Sequence, residues 1–235
     1  MSSPGNKLME YYASTANAYD EAQVHPDDEH ARALRFLSGF LSDYPAKSIL
    51  DVGAGTGRGM LYLTRALPQL NVVGIEPSPE LRSLAIQKGI PEEKILSGVG
   101  QRLPFADNSF DCVMCLGVLH HVENPRPVMD EMVRVAKGVI FISDHNIYGW
   151  GSPYTTRFKR LIRSVLGFNA LKFLMTRGRG YHDTDYDGIF YPFSLLDHIE
   201  YLNQHCKRNH MVTTRGVSGR NYNLVSHLAY LGEVS

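Results

Sequence analysis

From Ser48 to Asp144 short apolar runs alternate with stretches of helical spacing. SILDV, NVVGIE, KILSGV, FDCVMCLG and GVIFISD are short, apolar and rich in β-branched residues, as strands buried on both faces must be. Between them, RGMLYLTRAL, SPELRSLAIQKG and NPRPVMDEMVRVAK repeat their apolar residues at helical intervals. Alternating strands and helices imply a parallel sheet with helices on both faces. Pro77, Pro79, Pro104, Pro125 and Pro127 fall at element edges, where a missing N–H is tolerated.

Two further helices are expected over residues 7–44, with Tyr11, Tyr12 and Tyr19 on the first. Asp27, Asp28 and Glu29 open the second, where carboxylates suit the helix dipole. After Asp144 the alternation stops. Residues 145–193 form an insertion, expected to be a helical lid. Residues 194–235 follow as a helix, SLLDHIEYLNQHC, and two strand candidates, HMVTTRG and NLVSHLAYLGE. The whole reads as one α/β domain whose core spans residues 48–144.

Composition narrows the function classes. The chain has 235 residues, and 24 Lys and Arg balance 24 Asp and Glu. That excludes a protein that coats nucleic acid by bulk electrostatics, and no nucleic-acid partner is expected. Three cysteines cannot build a disulfide framework. Cys112 and Cys115 have C-x-x-C spacing, but residues three apart on a strand point to opposite faces, so no metal site is expected from them. MSSPGNKLMEYY lacks an apolar signal core, and no stretch approaches the roughly 18 apolar residues of a membrane span. A cytoplasmic protein is the expectation.

The stretch ILDVGAGTGRG ends a strand and opens a helix. Gly53, Gly55 and Gly57 let the backbone turn tightly and approach a ligand closely, with helix N–H groups facing it. Glu76 ends the next strand about twenty residues on, where a carboxylate can accept both hydroxyls of a ribose. A nicotinamide-dinucleotide fold has a similar loop, but its fingerprint needs a third glycine where this chain has Arg58. Asp51 instead completes D-x-G-x-G-x-G.

DVGAGTG, GIEPS, LPFADNSFDCV and GVLHHV stand in the order and spacing of class I S-adenosylmethionine-dependent methyltransferases. The chain resembles the branch that includes the ubiquinone/menaquinone-biosynthesis enzymes (methyltransferase type 11). The resemblance implies a Rossmann-like, seven-stranded, mostly parallel sheet with its last strand antiparallel, S-adenosylmethionine as cofactor and S-adenosylhomocysteine as product. It implies that Asp51, Gly53, Ala54, Gly55 and Gly57 surround the methionine part, and that Glu76 holds the ribose beside Pro77 and Ser78. Gly100, Gln101 and Arg102 flank the adenine, Leu116 lies near the sulfonium, and Tyr19 closes the pocket. One departure stands out. Many relatives have an acidic residue where this chain has Val99, which leaves adenine to backbone groups and Gln101.

Methyl transfer from a sulfonium needs positioning above all, and a base only where the acceptor must lose a proton. His120 and His121 follow the fourth strand, and Asp144 and His145 end the fifth. All four stand at the carboxyl edge of the sheet, where open α/β folds bind ligands, and they are the catalytic candidates, His120 foremost. The expected acceptor is a small molecule, lipid- or carrier-linked forms included, methylated on oxygen or carbon. A NAD-dependent oxidoreductase on a similar fold and an inactive cofactor-binding partner subunit are the alternatives.

The insertion is strongly basic. From Gly149 to Tyr181 there are seven Lys and Arg and no Asp or Glu. Phe158, Leu161, Ile162, Val165 and Leu166 share a helical face, and a second apolar segment, FNALKFLM, follows. Three readings stand: a lid packing that face on the domain, a lid whose cations meet an anionic substrate, and a helix at a membrane surface over residues 154–176. The run HDTDYDG departs from a calcium loop, and its carboxylates are expected to be solvated or capping. GIFYPF suits a pocket wall or plain core packing.

Overall fold

The computed structural model describes residues 3–215 and 222–234; Gly216, at the end of the first C-terminal strand candidate, lies outside them. Helices α1 (Pro4–Gln23) and α2 (Glu29–Asp43) lead into β1 (Ser48–Val52), α3 (Arg58–Ala66), β2 (Asn71–Glu76), α4 (Pro79–Gln87) and β3 (Ile95–Ser97). Next come β4 (Phe110–Leu116), α5 (Arg126–Val135) and β5 (Ala136–His145). The insertion holds α6 (Pro153–Met175), β6 (His182–Thr184) and β7 (Gly188–Phe190), and α7 (Ile199–Asn203), β8 (Cys206–Arg215) and β9 (His227–Val234) close the fold.

Among the described residues the main sheet has seven strands in the order β3-β2-β1-β4-β5-β9-β8. The pairs from β3 to β5 are parallel, and β9 runs antiparallel to both neighbours. The strand order reverses at β1 and β4. The connections that follow these two neighbouring strands diverge, which opens a crevice at the strands' carboxyl ends.

Each sheet face has its own core. Cys112, Met114 and Phe141 pack with Leu34, Leu37, Met60 and Leu63 of α2 and α3. Val113, Cys115 and Ile140 pack with Val128, Met129 and Met132 of α5 and with Leu195 and Leu202. The two central cysteines therefore face opposite sides of β4, and burial pushes both thiols up. They are packing residues.

The N-terminal helices are capped as their sequence demands. Ser3 accepts from Asn6 N and Asp28 from Ala31 N at 2.8 Å. Arg58, at the start of α3, is ion-paired with Asp28 and donates to His25 O at 3.0 Å. Thr56 Oγ1 donates to Asp20 at 2.6 Å, and Lys88, just past the end of α4, pairs with the same carboxylate. These contacts hold the α1–α2 corner over the glycine loop.

The insertion differs from the expected helical lid in two ways. It contains a β-hairpin, β6–β7, onto which α1 folds through Tyr11 Oη to Tyr186 O at 2.6 Å and Lys7 to Asp183 at 3.1 Å. Its helix also turns the expected apolar face outward. Phe158, Leu161, Val165 and Leu166 are exposed, and only Ile162 of that set is buried. The inner side is held instead by Ile162 and Leu171 against Ile147 and Tyr148. FNALKFLM continues the same helix beyond a kink at Gly167. The single C-terminal helix expected after it is a one-turn 3-10 segment followed by the short α7.

Candidate active site

The crevice is a cleft of about 1280 Å³. Ligand pockets commonly measure about 300–1,000 Å³, so this one has room for a donor and an acceptor together. Asp51, Gly53, Ala54, Gly55, Leu116 and Tyr19 line one side, and His120, His121, His145, Trp150, Phe190 and His227 line the other.

The glycine side is built by β1 and β2. Gly53 N and Ala54 N both donate to Ile75 O, at 2.8 and 3.0 Å. Gly55 has φ +55°, and a Cβ there would meet nothing within 4 Å. Its backbone is therefore bare toward the cleft, as a ligand-cradling loop requires. Asp51 is buried and its Oδ1 has no hydrogen-bond partner. Burial, with the Glu76 charge behind it, pushes its carboxyl up to about 7. A buried acceptor without a partner is costly; a cationic ligand would satisfy it. This donor and acceptor set fits S-adenosylmethionine, which carries an ammonium and a sulfonium.

Glu76 sits behind this loop, outside the cleft lining. Its Oε2 accepts from Gly55 N and its Oε1 from Ser78 N, both at 2.9 Å. The carboxylate thus couples the glycine loop to the start of α4, where Ser78 caps the helix by accepting from Leu81 N at 3.2 Å. Each oxygen keeps a second lone pair, but burial raises the carboxyl's pKa. Pro77 opens the same corner. Gly100, Gln101 and Arg102 also stay off the cleft wall. They form a turn closed by Arg102 N to Val99 O at 3.2 Å, with Gln101 and Arg102 exposed. Gly100 backs onto Val52 and Val128, which a Cβ would meet at 2.9 and 3.0 Å.

The opposite side is a row of imidazoles. His120 and His145 stack at 3.9 Å between centroids, and His121 and His227 lie 4.1 Å from His120 and 4.5 Å from His145. Trp150 meets His145 edge-on at 5.0 Å. His120 Nδ1 donates to Asp144 Oδ1 at 2.7 Å, and its Nε2 lies 3.5 Å from Asp187 Oδ2. Burial opposes a charge on this ring, but the two carboxylates outweigh it and hold the pKa at about 10. Asp144 is correspondingly held well below the usual carboxylate range, although burial acts the other way. It also accepts from Leu119 N at 2.8 Å and His145 N at 2.6 Å.

His121 differs. Its Nδ1 donates to Ile189 O at 2.7 Å, which leaves Nε2 as the lone-pair nitrogen, 3.6 Å from Asp187. Burial and then the charge of His120 push it down to about 4. Burial and the same charge also press His145 well down. At neutral pH the row holds one imidazolium and neutral neighbours. His120, His121 and Asp187 offer ligand atoms within 4.8 Å of one another, as do His120, Asp144 and His145.

Asp187 corrects the expectation for HDTDYDG. Asp183 pairs with Lys7 in solvent, but Asp187 turns into the site. Burial raises its carboxyl less than the hydrogen bond with His120 and the neighbouring imidazoles lower it. The hairpin places it there, and the segment after β7 is tied to the histidine turn by Tyr191 N to His120 O at 2.7 Å. In GIFYPF, Phe190 lines the cleft while Ile189, Tyr191 and Phe193 pack in cores. Sequence reasoning also missed His30 of α2, half-buried with its Nδ1 shielded and unpartnered, and Trp150 and His227. None of these stands in a motif.

Comparison with known proteins agrees with this architecture. Residues 50–142 match the model of a methyltransferase-domain family. An uncharacterized methyltransferase of Schizosaccharomyces pombe is 34% identical over 149 residues, covering 58% of this chain and 51% of that protein. The methyltransferase YcgJ of Bacillus subtilis is 31% identical over 103 residues, 41% of this chain and 40% of its own. The chain spans about half the length of the curated relatives it matches. Among solved structures, magnesium protoporphyrin IX methyltransferase from Synechocystis PCC 6803, with bound S-adenosylhomocysteine, superposes with a TM-score of 0.62. It is 17% identical, over 98% of this chain and 100% of that one. A methyltransferase from Thermotoga maritima gives 0.61 at 16% identity, over 96% and 99%. At such identities the likeness is one of fold. The aligned segment carries the glycine loop, the buried acidic corner and the histidine turn described above, so residues 50–142 match a methyltransferase domain in sequence, and the whole chain shares the fold of the S-adenosylmethionine-dependent methyltransferases it superposes on.

Proposed function

We propose that the chain transfers a methyl group from S-adenosylmethionine to a small-molecule acceptor, on oxygen or carbon, within this cleft. The carrying observation is the two-sided wall: a bare glycine loop with an unpartnered buried carboxylate faces a row of imidazoles. S-adenosylmethionine supplies an activated methyl on a sulfonium, so the residues' first task is to hold two ligands in line. Asp51, Gly53, Ala54, Gly55 and Gly57 would hold its methionine end, with Leu116 beside the sulfonium and Tyr19 closing over it. Glu76, through its remaining lone pairs, would serve the ribose, and Gly100 to Arg102 the outer rim at the adenine. On the far side His121 accepts the acceptor's proton at Nε2. His120, with both N–H groups engaged by carboxylates, orients the row rather than acting as base.

Calorimetric titration with S-adenosylhomocysteine and with NAD tests the cofactor. Binding of the first and not the second is expected; the reverse overturns the reading. Gly55→Val would fill the bare face of the loop and force a β-branched residue to positive φ, so binding should weaken at least about a hundredfold, roughly 3 kcal/mol, with the fold retained. Tight binding with no methyl transfer over a broad acceptor panel would instead favour a non-catalytic partner.

The raised Asp51 carboxyl adds a pH signature. Its ionised form is the one that pairs with a ligand cation. Affinity for S-adenosylhomocysteine should rise about tenfold between pH 6 and pH 8 as the fraction ionised grows. Asp51→Asn should flatten that dependence.

A further inference from the structure

We propose that the outward face of α6 docks on an anionic lipid surface. Tyr154, Phe158, Leu161 and Val165 recur at intervals of four, three and four residues, one stripe along the helix. They are 81%, 63%, 60% and 69% exposed. Leu166 stands beside them, and Phe173 and Leu174 continue the exposed apolar surface beyond the kink at Gly167. Contiguous apolar surface of this kind marks an interaction site.

The stripe is not the edge of a loosely held segment. On the inner side Ile162 and Leu171 are buried. Lys159 donates to Ile147 O and Trp150 O at 2.9 and 2.7 Å, and Arg163 pairs with Asp197 at 2.6 Å. The helix is pinned with its apolar stripe out.

Charge selects the occupant. Residues 149–181 carry seven Lys and Arg and no Asp or Glu. Arg157 and Arg160 are exposed next to the stripe, and Arg177 and Arg179 are exposed just past the helix end. Apolar side chains flanked by unopposed cations match acyl chains beneath anionic headgroups. A second copy meeting the same face about a two-fold axis would set arginine against arginine, which disfavours self-association. Among the described residues no helix is long and apolar enough to cross a membrane, so the contact is peripheral. Trp150 precedes this helix, and Thr184 and Phe190 of the hairpin follow it; all three line the cleft. Docking would bring the cleft's insertion side to the lipid surface.

Flotation of the full chain with vesicles tests the proposal, independently of any methyl acceptor. Binding to phosphatidylcholine–phosphatidylglycerol vesicles at low salt is expected, with phosphatidylcholine alone at least about tenfold weaker. Phe158→Glu with Val165→Glu should abolish flotation, and Arg157→Glu with Arg160→Glu should weaken it about tenfold or more. Circular dichroism and S-adenosylhomocysteine titration should stay unchanged in both variants, since these side chains face solvent. Failure to float with anionic vesicles overturns the proposal. So does flotation indifferent to these substitutions, or a concentration-dependent dimer that the same substitutions dissolve.

Discussion

Asp144→Asn should lower the free energy of unfolding by about 3–5 kcal/mol near neutral pH, the usual cost of removing one partner from a buried ion pair. Asp144 is fully buried and accepts from His120, Leu119 N and His145 N; an amide offers a single acceptor oxygen to those donors. The pH dependence separates this from loss of packing. The folded pKa of His120, about 10, lies above its unfolded value of about 6.5. Its contribution is fully present below the unfolded value and is lost as pH rises toward 10. Asp144 itself is depressed, so its contribution is present above its unfolded pKa of about 3.9 and is lost in acid. Denaturant titrations should therefore show the largest gap between the two proteins from about pH 4 to 6.5, narrowing toward pH 10. A gap constant across that range would mean that the pair does not hold a charge.

The core was legible because burial on both faces leaves its mark on the central strands β1, β4 and β5, and the glycine loop must turn where the backbone meets a ligand. Position at the carboxyl edge likewise implies that His120, His121, Asp144 and His145 lie together, as they do. Residues that reach the cleft from elsewhere leave no such mark. His30 comes from α2 and His227 from β9, and only the three-dimensional crossing of those elements makes them neighbours. Asp187 was recoverable. Asp187-Gly188 between two short β-prone stretches is a hairpin signal, and Gly188 has φ +63°; the carboxylates of HDTDYDG belong to a turn rather than to a ligand loop. Of the three readings of the α6 face, the exposed side chains contradict only packing on the domain. Periodicity shows that a helix has an apolar side, and the step from apolar to buried rests on an average tendency. Seven cations on and around that helix were the available warning that its apolar side need not face the core.

The second large effect concerns His121. Its Nδ1–H is committed to Ile189 O, so the ring presents a lone pair at Nε2 on the cleft wall, while His120 is held protonated by two carboxylates. His121→Ala should therefore slow methyl transfer to a hydroxyl or acidic-carbon acceptor about a hundredfold. That is the low end of the general-base range of about 10²–10⁴, because a base depressed to about 4 is a weak one. S-adenosylhomocysteine affinity should be unchanged, since the cofactor side is built by β1, β2 and the glycine loop. The wild-type rate should fall on the acid side as His121 takes up a proton near pH 4, and on the alkaline side only as His120 loses its own near pH 10. Between those limits it should be flat wherever the cofactor is saturating, which removes the Asp51 titration from the profile. His121→Gln, which keeps a donor and an acceptor but cannot take the proton, should retain the fold and stay as slow as the alanine variant. Full turnover in His121→Ala would move the proton elsewhere, and an acid limb near the ordinary histidine pKa would assign it to a ring less buried than His121.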